Sequence, residues 1–598
     1  VKMKDTFILN LVHRPELNPE YAEKTAGGGK GLEDESIDIF KLQQRLAHEN
    51  GLKTTIQMTY SSLFSQYVVD LAKSDHQKYG DEIGLSLLGL PCRQFNEKYR
   101  TKDFCIWMFS LEDRKRIIDD VFGKFFECFG FWPESTGSYY LDAQSIAYIE
   151  ERYPSVKCAV ATCWEEGPKA YHTCNNSWYT LMDGGPWNPW IPSTCNTHVP
   201  AKGPEDDSHI VAIPHLSRDL IACFDGNGSN FGTHPQNVLR GMVYEGDQYP
   251  YLFNLIDQYR HMGKYNGGYS YNMMFVGPGW LNKKGRWEAP YSLLEKSYSD
   301  AMAYYGNLKK EGKLCDMGMS EFASWFRENR LYSSEAFLWK DILYGSEKSH
   351  FWYSSPSMRC CLDMNQGGAM IDLRPYESKL VRECGIGTSH VQEVSYPFLI
   401  QANYRAGYFT HYAGEGTVKS CTVSYGGVKA DMCLCRTKAV LRSEDGQRVL
   451  ELDPVQFKLG ELVADIQSVF YFREGSNEVK TVRKVLRTSI PDAKVCITEY
   501  MTACYGTTEY PEPMDGIKLI AGDKTLDYQY KCRTVRAVGC CTAVVPQVEC
   551  KVSMHASEGD ECFVKEGYAF SPMFTLGLVR NAGQGEVFES WLKLEKAN

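Results

Sequence analysis

Several things are missing from this 598-residue chain, and each absence narrows its function. It has no Lys/Arg-rich run and a formal net charge of −10, so nothing in it would displace the counterions of a phosphate backbone, and no nucleic-acid partner is expected. No apolar run approaches the roughly 18 to 20 residues needed to span a bilayer, so no membrane partner is expected either. The opening VKMKDTFILNLV lacks the apolar core and small-residue cleavage site of a signal peptide, although a leader removed earlier would leave the same start. There is no low-complexity tract and no repeat of solenoid period. The chain has 22 cysteines but no Cys-x-x-Cys, which argues against a zinc ribbon and against a small-domain disulfide framework. Scattered cysteines, including the adjacent pairs Cys360-Cys361 and Cys540-Cys541, read as buried free thiols in a reducing compartment. That points to the cytoplasm, or to the periplasm if a leader was removed. No metal and no cofactor is expected, and the oligomeric state is not readable.

What is present is a globular mixture: 43% hydrophobic, 23% charged and 13% aromatic residues, in a chain too long for one compact core. Up to about residue 285, short apolar runs alternate with helical patterns. TFILNLV (6 to 12), TTIQMTY (54 to 60), EIGLSLLGL (82 to 90), VKCAVAT (156 to 162), HIVAIP (209 to 214) and YNMMFV (271 to 276) read as strands. Residues 37 to 51 and 63 to 80 read as helices, and Ser110-Leu111-Glu112-Asp113 as a capping box opening a helix that reaches about Cys128. This is the βαβ rhythm of a parallel sheet. The pattern predicts a parallel barrel of about seven or eight such units over 1–285, a helical segment over 286–348, and a C-terminal antiparallel β-sandwich over 349–598, where alternating runs and Asp445-Gly446 mark hairpins.

In such a barrel the reacting groups come from the carboxyl ends of the strands. The stretch GFWPESTGSYYLDAQS (130 to 145) lies between two helical patterns, so Glu134 should fall on a short strand or at its end. An acid beside Trp132 and Pro133 at a barrel mouth would be partly desolvated and able to act as nucleophile, acid or base. The bland alternative is an acid that caps the next helix or pairs with a basic neighbour.

These residues carry a resemblance. FWPE followed by a small-residue turn, a helix and a VKCAVAT-like strand resembles the region of glycoside hydrolase family 57 that bears the nucleophile. Leu11-Val12-His13-Arg14-Pro15 resembles that family's first region, with Arg14 where the family has Gln, and His215-Leu216-Ser217-Arg218-Asp219 resembles its Arg-Asp region. The family's second region is represented only by Glu82-Ile83-Gly84, and its fifth has no match. The resemblance covers roughly residues 6 to 280. It implies an α/β fold with an incomplete (β/α)7-type parallel barrel, and a retaining glycoside hydrolase acting on an oligo- or polysaccharide, with Glu134 as nucleophile and Asp219 as acid/base, their carboxyl groups about 5 to 5.5 Å apart. Asp225, in FDGNGS, is a rival to Asp219 but reads more readily as a turn residue.

Sugar faces need flat apolar walls with polar edges. Trp132, Trp164 and Trp280 are candidate walls, and Glu165, His13, Arg14, His215 and Arg218 are candidate polar contacts. Trp178, Trp187 and Trp190 fall in a loop-like stretch where a mini-core is the competing reading. Two alternatives belong to other classes. A metal-dependent polysaccharide deacetylase would share the barrel, but Ser86 and Leu90 stand where its histidines would be, and the first strand lacks paired aspartates. A non-catalytic carbohydrate-binding protein on a degenerate hydrolase scaffold would keep the aromatic walls and lose a carboxylate.

Overall fold

The computed structural model describes residues 6–17, 22, 35–100, 106–162, 184–224, 232–234, 249–277, 281, 290–343, 345–378, 396–401, 416–505, 514–557, 559–569 and 571–597. The chain divides into two compact units, with the boundary between Tyr332 and Ser333.

The first unit is built on seven parallel strands: β1 (Thr6–His13), β2 (Thr55–Met58), β3 (Glu82–Ser86), β4 (Ser135–Gly137), β5 (Cys158–Thr162), β6 (Val211–Pro214) and β7 (Tyr269–Val276), in the order β6-β5-β4-β3-β2-β1-β7. A two-residue strand, β8 (Cys315–Asp316), adds to β1. The crossovers carry α1 (Glu35–Glu49), α2 (Gln66–Tyr79), α3 (Arg93–Tyr99), α4 (Leu111–Phe129), α5 (Ala143–Arg152) and α6 (Tyr249–Met262). Of the expected capping box the N-cap half is recorded, the Ser110 hydroxyl accepting from the Asp113 amide, and Gly130 closes α4 in a left-handed turn. Ser65 and Asp142 cap α2 and α5 in the same way.

Alternation along the strands separates two faces. Ile56, Met58, Ile83, Leu85, Ala159 and Ala161 face the helix layer, against Val68, Val69, Ile117, Val121, Phe125 and Ile149. On the inner face, Ile8, Val12, Val160, Val211, Ile213, Met273 and Phe275 form a second cluster. Its lower end is closed by α8 (Met319–Asn329), through Met319, Phe322 and Phe326. The sheet does not close by a ladder between its edge strands β6 and β7. Instead the Ser217 amide donates to the Met273 carbonyl at 3.2 Å, and the Ser217 hydroxyl accepts from the Met273 amide at 2.9 Å. The segment leaving β6 therefore spans the gap, and it is this segment that carries His215 and Arg218.

The helical segment expected over 286–348 is not a separate body. Its helices, α7 (Tyr291–Lys310) and α8, belong to the barrel unit because their apolar faces are used there: Tyr298 and Tyr305 of α7 bond to His13 and Asn272. The sandwich unit begins at Ser333 rather than 349, since Glu335–Lys340 already pairs antiparallel with Ser349–Ser354. Among the described residues it contains an eleven-stranded and a ten-stranded sheet. Its core holds buried charge: Asp372 is shared by Arg359 at 3.1 Å and Arg374 at 3.4 Å, and Glu499 pairs with Arg483 and, at 3.2 Å, Lys419. Burial opposes the charge on Glu499, yet Arg483 and Lys419 hold its carboxyl below the usual range. The described cysteines form no disulfide with one another, and among the described residues no helix is long and apolar enough to cross a membrane.

Removing one partner from a buried ion group leaves the others uncompensated, at a cost of about 3–5 kcal/mol, whereas an exposed pair contributes about 0–1 kcal/mol. Glu499→Gln is therefore expected to lower the denaturant midpoint of the sandwich unit by the larger amount. Glu586→Gln, which breaks the exposed pair with Lys494, should leave it nearly unchanged.

Candidate functional site at the carboxyl ends of the barrel strands

All strand pairings from β6 round to β7 are parallel, so one end of the sheet collects every carboxyl terminus. Residues of inner-face parity at that end are Arg14 after β1, Thr59 after β2, Ser86 on β3, Thr162 on β5, His215 after β6 and Phe275 on β7. Phe275 is the centrepiece: the Arg14 guanidinium carbon lies 5.6 Å from its ring centroid and the His215 ring 4.6 Å away. Tyr139, just past β4, meets His215 edge-on at 4.8 Å. The His215 amide donates to the Thr162 carbonyl at 2.8 Å, which fixes the backbone below the ring.

Charge accumulates here. Arg14 is only 7% exposed and donates from Nη2 to Glu16 at 2.8 Å, while its Nε and Nη1 have no hydrogen-bond partner among the described residues. The Thr162 hydroxyl is fully buried and likewise without a partner among them. Gly89, with φ +71°, leaves room for Glu16: a β-carbon there would lie 2.9 Å from the Glu16 Oε1. His215 is held well below the ordinary imidazole pKa, first by burial and then by the charges of Arg218, Arg14 and His234. Burial and these charges therefore favour the neutral imidazole.

Three of the sequence candidates, Arg14, His215 and Arg218, meet at this mouth. Others do not. Glu134 precedes β4 and so lies at the amino end of the sheet, half exposed, its carboxylate accepting from Lys157 at 2.7 Å. This is the bland alternative of an acid paired with a basic neighbour. Trp132 beside it is 39% exposed and packs on Phe126 and Tyr153 at the same end. Asp219 is at the carboxyl end, but its Oδ1 accepts from the Ile221 and Ala222 amides and its Oδ2 from the Tyr251 hydroxyl at 2.8 Å. It caps the turn after β6. Glu134 and Asp219 are thus separated by the length of the strands and form no catalytic pair.

His13 faces the opposite way from Arg14, into the helix layer. Its Nδ1 bonds to the Gln44 amide oxygen and its Nε2 to the Tyr298 hydroxyl, and it is completely buried. Gln44 in turn donates to Asp75 at 3.0 Å and Asp81 at 2.9 Å. Trp187 and Trp190 are buried, with the Trp190 indole N–H on the Thr197 carbonyl at 3.0 Å, in keeping with a mini-core. Trp164, Glu165, Trp178, Asp225 and Trp280 lie outside the described residues.

Sequence reasoning missed Glu16, Tyr139, Thr162, His234 and Phe275. Only Tyr139, Thr162 and Phe275 left a signal, their position at or just beyond a strand end. For metal binding, His48, Asp75 and Asp81 present ligand atoms within 4.8 Å of one another. They lie in the helix layer, where Asp81 already accepts from His48, Gln44 and the Thr54 amide. The deacetylase alternative needs its ion at the mouth, and this grouping is elsewhere.

An incomplete parallel barrel with a cationic, histidine-containing mouth, followed by a β-sandwich, is the class of architecture that emerges. A family model described as a domain of unknown function with a solved structure, DUF3863, matches residues 50–329. Among solved structures, the chain is similar to a "putative glycoside hydrolase/deacetylase" from Parabacteroides distasonis, at 15% identity over 66% of this chain and 89% of that one, with a TM-score of 0.48. It is similar also to a "putative polysaccharide deacetylase" from Mycobacterium smegmatis, at 9% identity over 55% and 93% of the two chains, with a TM-score of 0.32. A third is the 4-alpha-glucanotransferase of Thermococcus litoralis, at 8% identity over 99% and 100%, with a TM-score of 0.28. No curated protein matches.

Two expectations follow. Glu134→Gln should change stability by no more than about 1 kcal/mol, as for other exposed pairs, and should leave ligand binding at the mouth unaffected, measured by denaturation and calorimetry. His13 has its pKa lowered to about 4 by burial, against 6.5 when unfolded. The unfolded chain therefore takes up a proton first as pH falls, so the barrel unit should lose up to about 3 kcal/mol between pH 6.5 and 4 from this group alone. Equilibrium unfolding across that window should show a shallower pH slope in His13→Gln.

Proposed function

We propose that the chain is a carbohydrate-active hydrolase working at the carboxyl mouth of its barrel, with His215 as general base. The observation that carries the reading is a neutral imidazole, packed against Phe275 and Tyr139, in a field set by two guanidinium groups. A base of this kind takes a proton from a water attacking the scissile centre and returns it to the leaving group. The carbohydrate assignment is supported by two of the three segments that resemble glycoside hydrolase family 57, Leu11 to Pro15 and His215 to Asp219, which supply the mouth together.

The third resembling segment, with Glu134, supplies nothing there, which removes Glu134 and Asp219 as a retaining pair. One base beside fixed cations suits the addition of water to an acyl carbon, because negative charge then develops on the carbonyl oxygen next to the guanidinium groups. Removal of an acyl group from a sugar is accordingly favoured over cleavage between sugars.

The test is a paired screen of acylated saccharides and chromogenic glycosides. Wild type should release the acyl group; His215→Asn should reduce kcat at least 100-fold with little change in KM, while Glu134→Gln keeps full activity. Since the His215 pKa is depressed, kcat/KM should hold as pH falls through 6.5 and decline only at lower pH. Glycoside turnover that survives His215→Asn would contradict the assignment.

A further inference from the structure

Arg14 is the side chain at the mouth whose bonding is least complete. A guanidinium offers five N–H donors, and a buried donor left without an acceptor forfeits the hydrogen bonds water would have given it. Arg14 is more than nine-tenths buried, with only Nη2 engaged, by Glu16. The residue opposite its free Nε edge is Gly277, where a β-carbon would come within 3.1 Å of Nη2 and 3.6 Å of Nε. A side chain at 277 would crowd the Nη2–Nε edge of the guanidinium. The Phe275 ring neighbours both the guanidinium and His215, and the unpartnered Thr162 hydroxyl shares the inner-face parity of this end of the sheet. Arg218, Arg14 and His234 all act against a positive charge on the neighbouring His215.

Resting on the carbohydrate reading above, we propose that Arg14 makes the mouth selective for a saccharide bearing a negatively charged substituent, a carboxylate such as that of a uronic acid. The charged group fills the Nε and Nη1 donors, and a hydroxyl of the sugar bonds to Thr162. Charge-assisted bonds to guanidinium are roughly twice as strong as neutral ones, so the substituent and not the ring hydroxyls would dominate recognition. Arg14 here is a binding and positioning residue, and His215 remains the base.

The experiment is calorimetric titration of the full chain with a uronate-containing oligosaccharide, its neutral counterpart of equal length, and inorganic phosphate. Wild type is expected to bind the uronate saccharide at least tenfold more tightly than the neutral one, with the preference shrinking as salt rises. Arg14→Met should abolish the preference while keeping the neutral affinity, and Arg14→Lys should restore part of it. Both variants are checked for folding by circular dichroism. Equal affinity for the two saccharides in wild type overturns the charge selectivity and leaves the carbohydrate reading standing. Arg14-dependent binding of phosphate without binding of either saccharide overturns the carbohydrate reading and leaves an anion site. Binding of none of the three overturns both.

Discussion

Strand polarity governs what this barrel can bring together. Because β1 to β7 all run the same way, a side chain before a strand and one after it are separated by the whole sheet, and only residues at carboxyl ends with inner-face parity share a space. Arg14, Thr162, His215 and Phe275 satisfy both conditions. Placing a guanidinium with open donors there, next to a histidine kept neutral, is the feature from which the functional reading grows.

The gap between β6 and β7 contributes to this. A closed ladder would have continued the sheet, whereas the bond pair between Ser217 and the Met273 backbone closes it with a loop segment. That segment delivers His215 and Arg218 inward, and Asp219 stiffens it by capping the turn that follows. The sandwich unit is stabilised differently, around buried carboxylates shared between two cations, which favour one packing because removing any member leaves charge unpaired.

Much of the fold was readable from the residues because period-2 and period-3.6 patterns alternate cleanly up to β7, and because Ser110 and Gly130 mark both ends of α4. The site was harder to read, for two physical reasons. First, β4 is only three residues long, so the pattern did not reveal that Glu134 stands before it rather than after it. Second, adjacent strand residues face opposite sides: His13 and Arg14 both looked available, but only one could reach the mouth, and His13 instead bonds to Gln44 and Tyr298. Glu16 and His234 belong to segments beyond regular structure, where periodicity carries no information. The aromatic clustering around Trp187 and Trp190 was legible as a group, although its role in packing followed only from burial.

The most direct check of the account needs no ligand. If Arg14 and His215 share one buried mouth, removing the guanidinium charge must ease protonation of the imidazole. An NMR titration of His215 in wild type and in Arg14→Met should show the midpoint rising toward 6.5 in the variant; an unchanged midpoint would contradict the shared site.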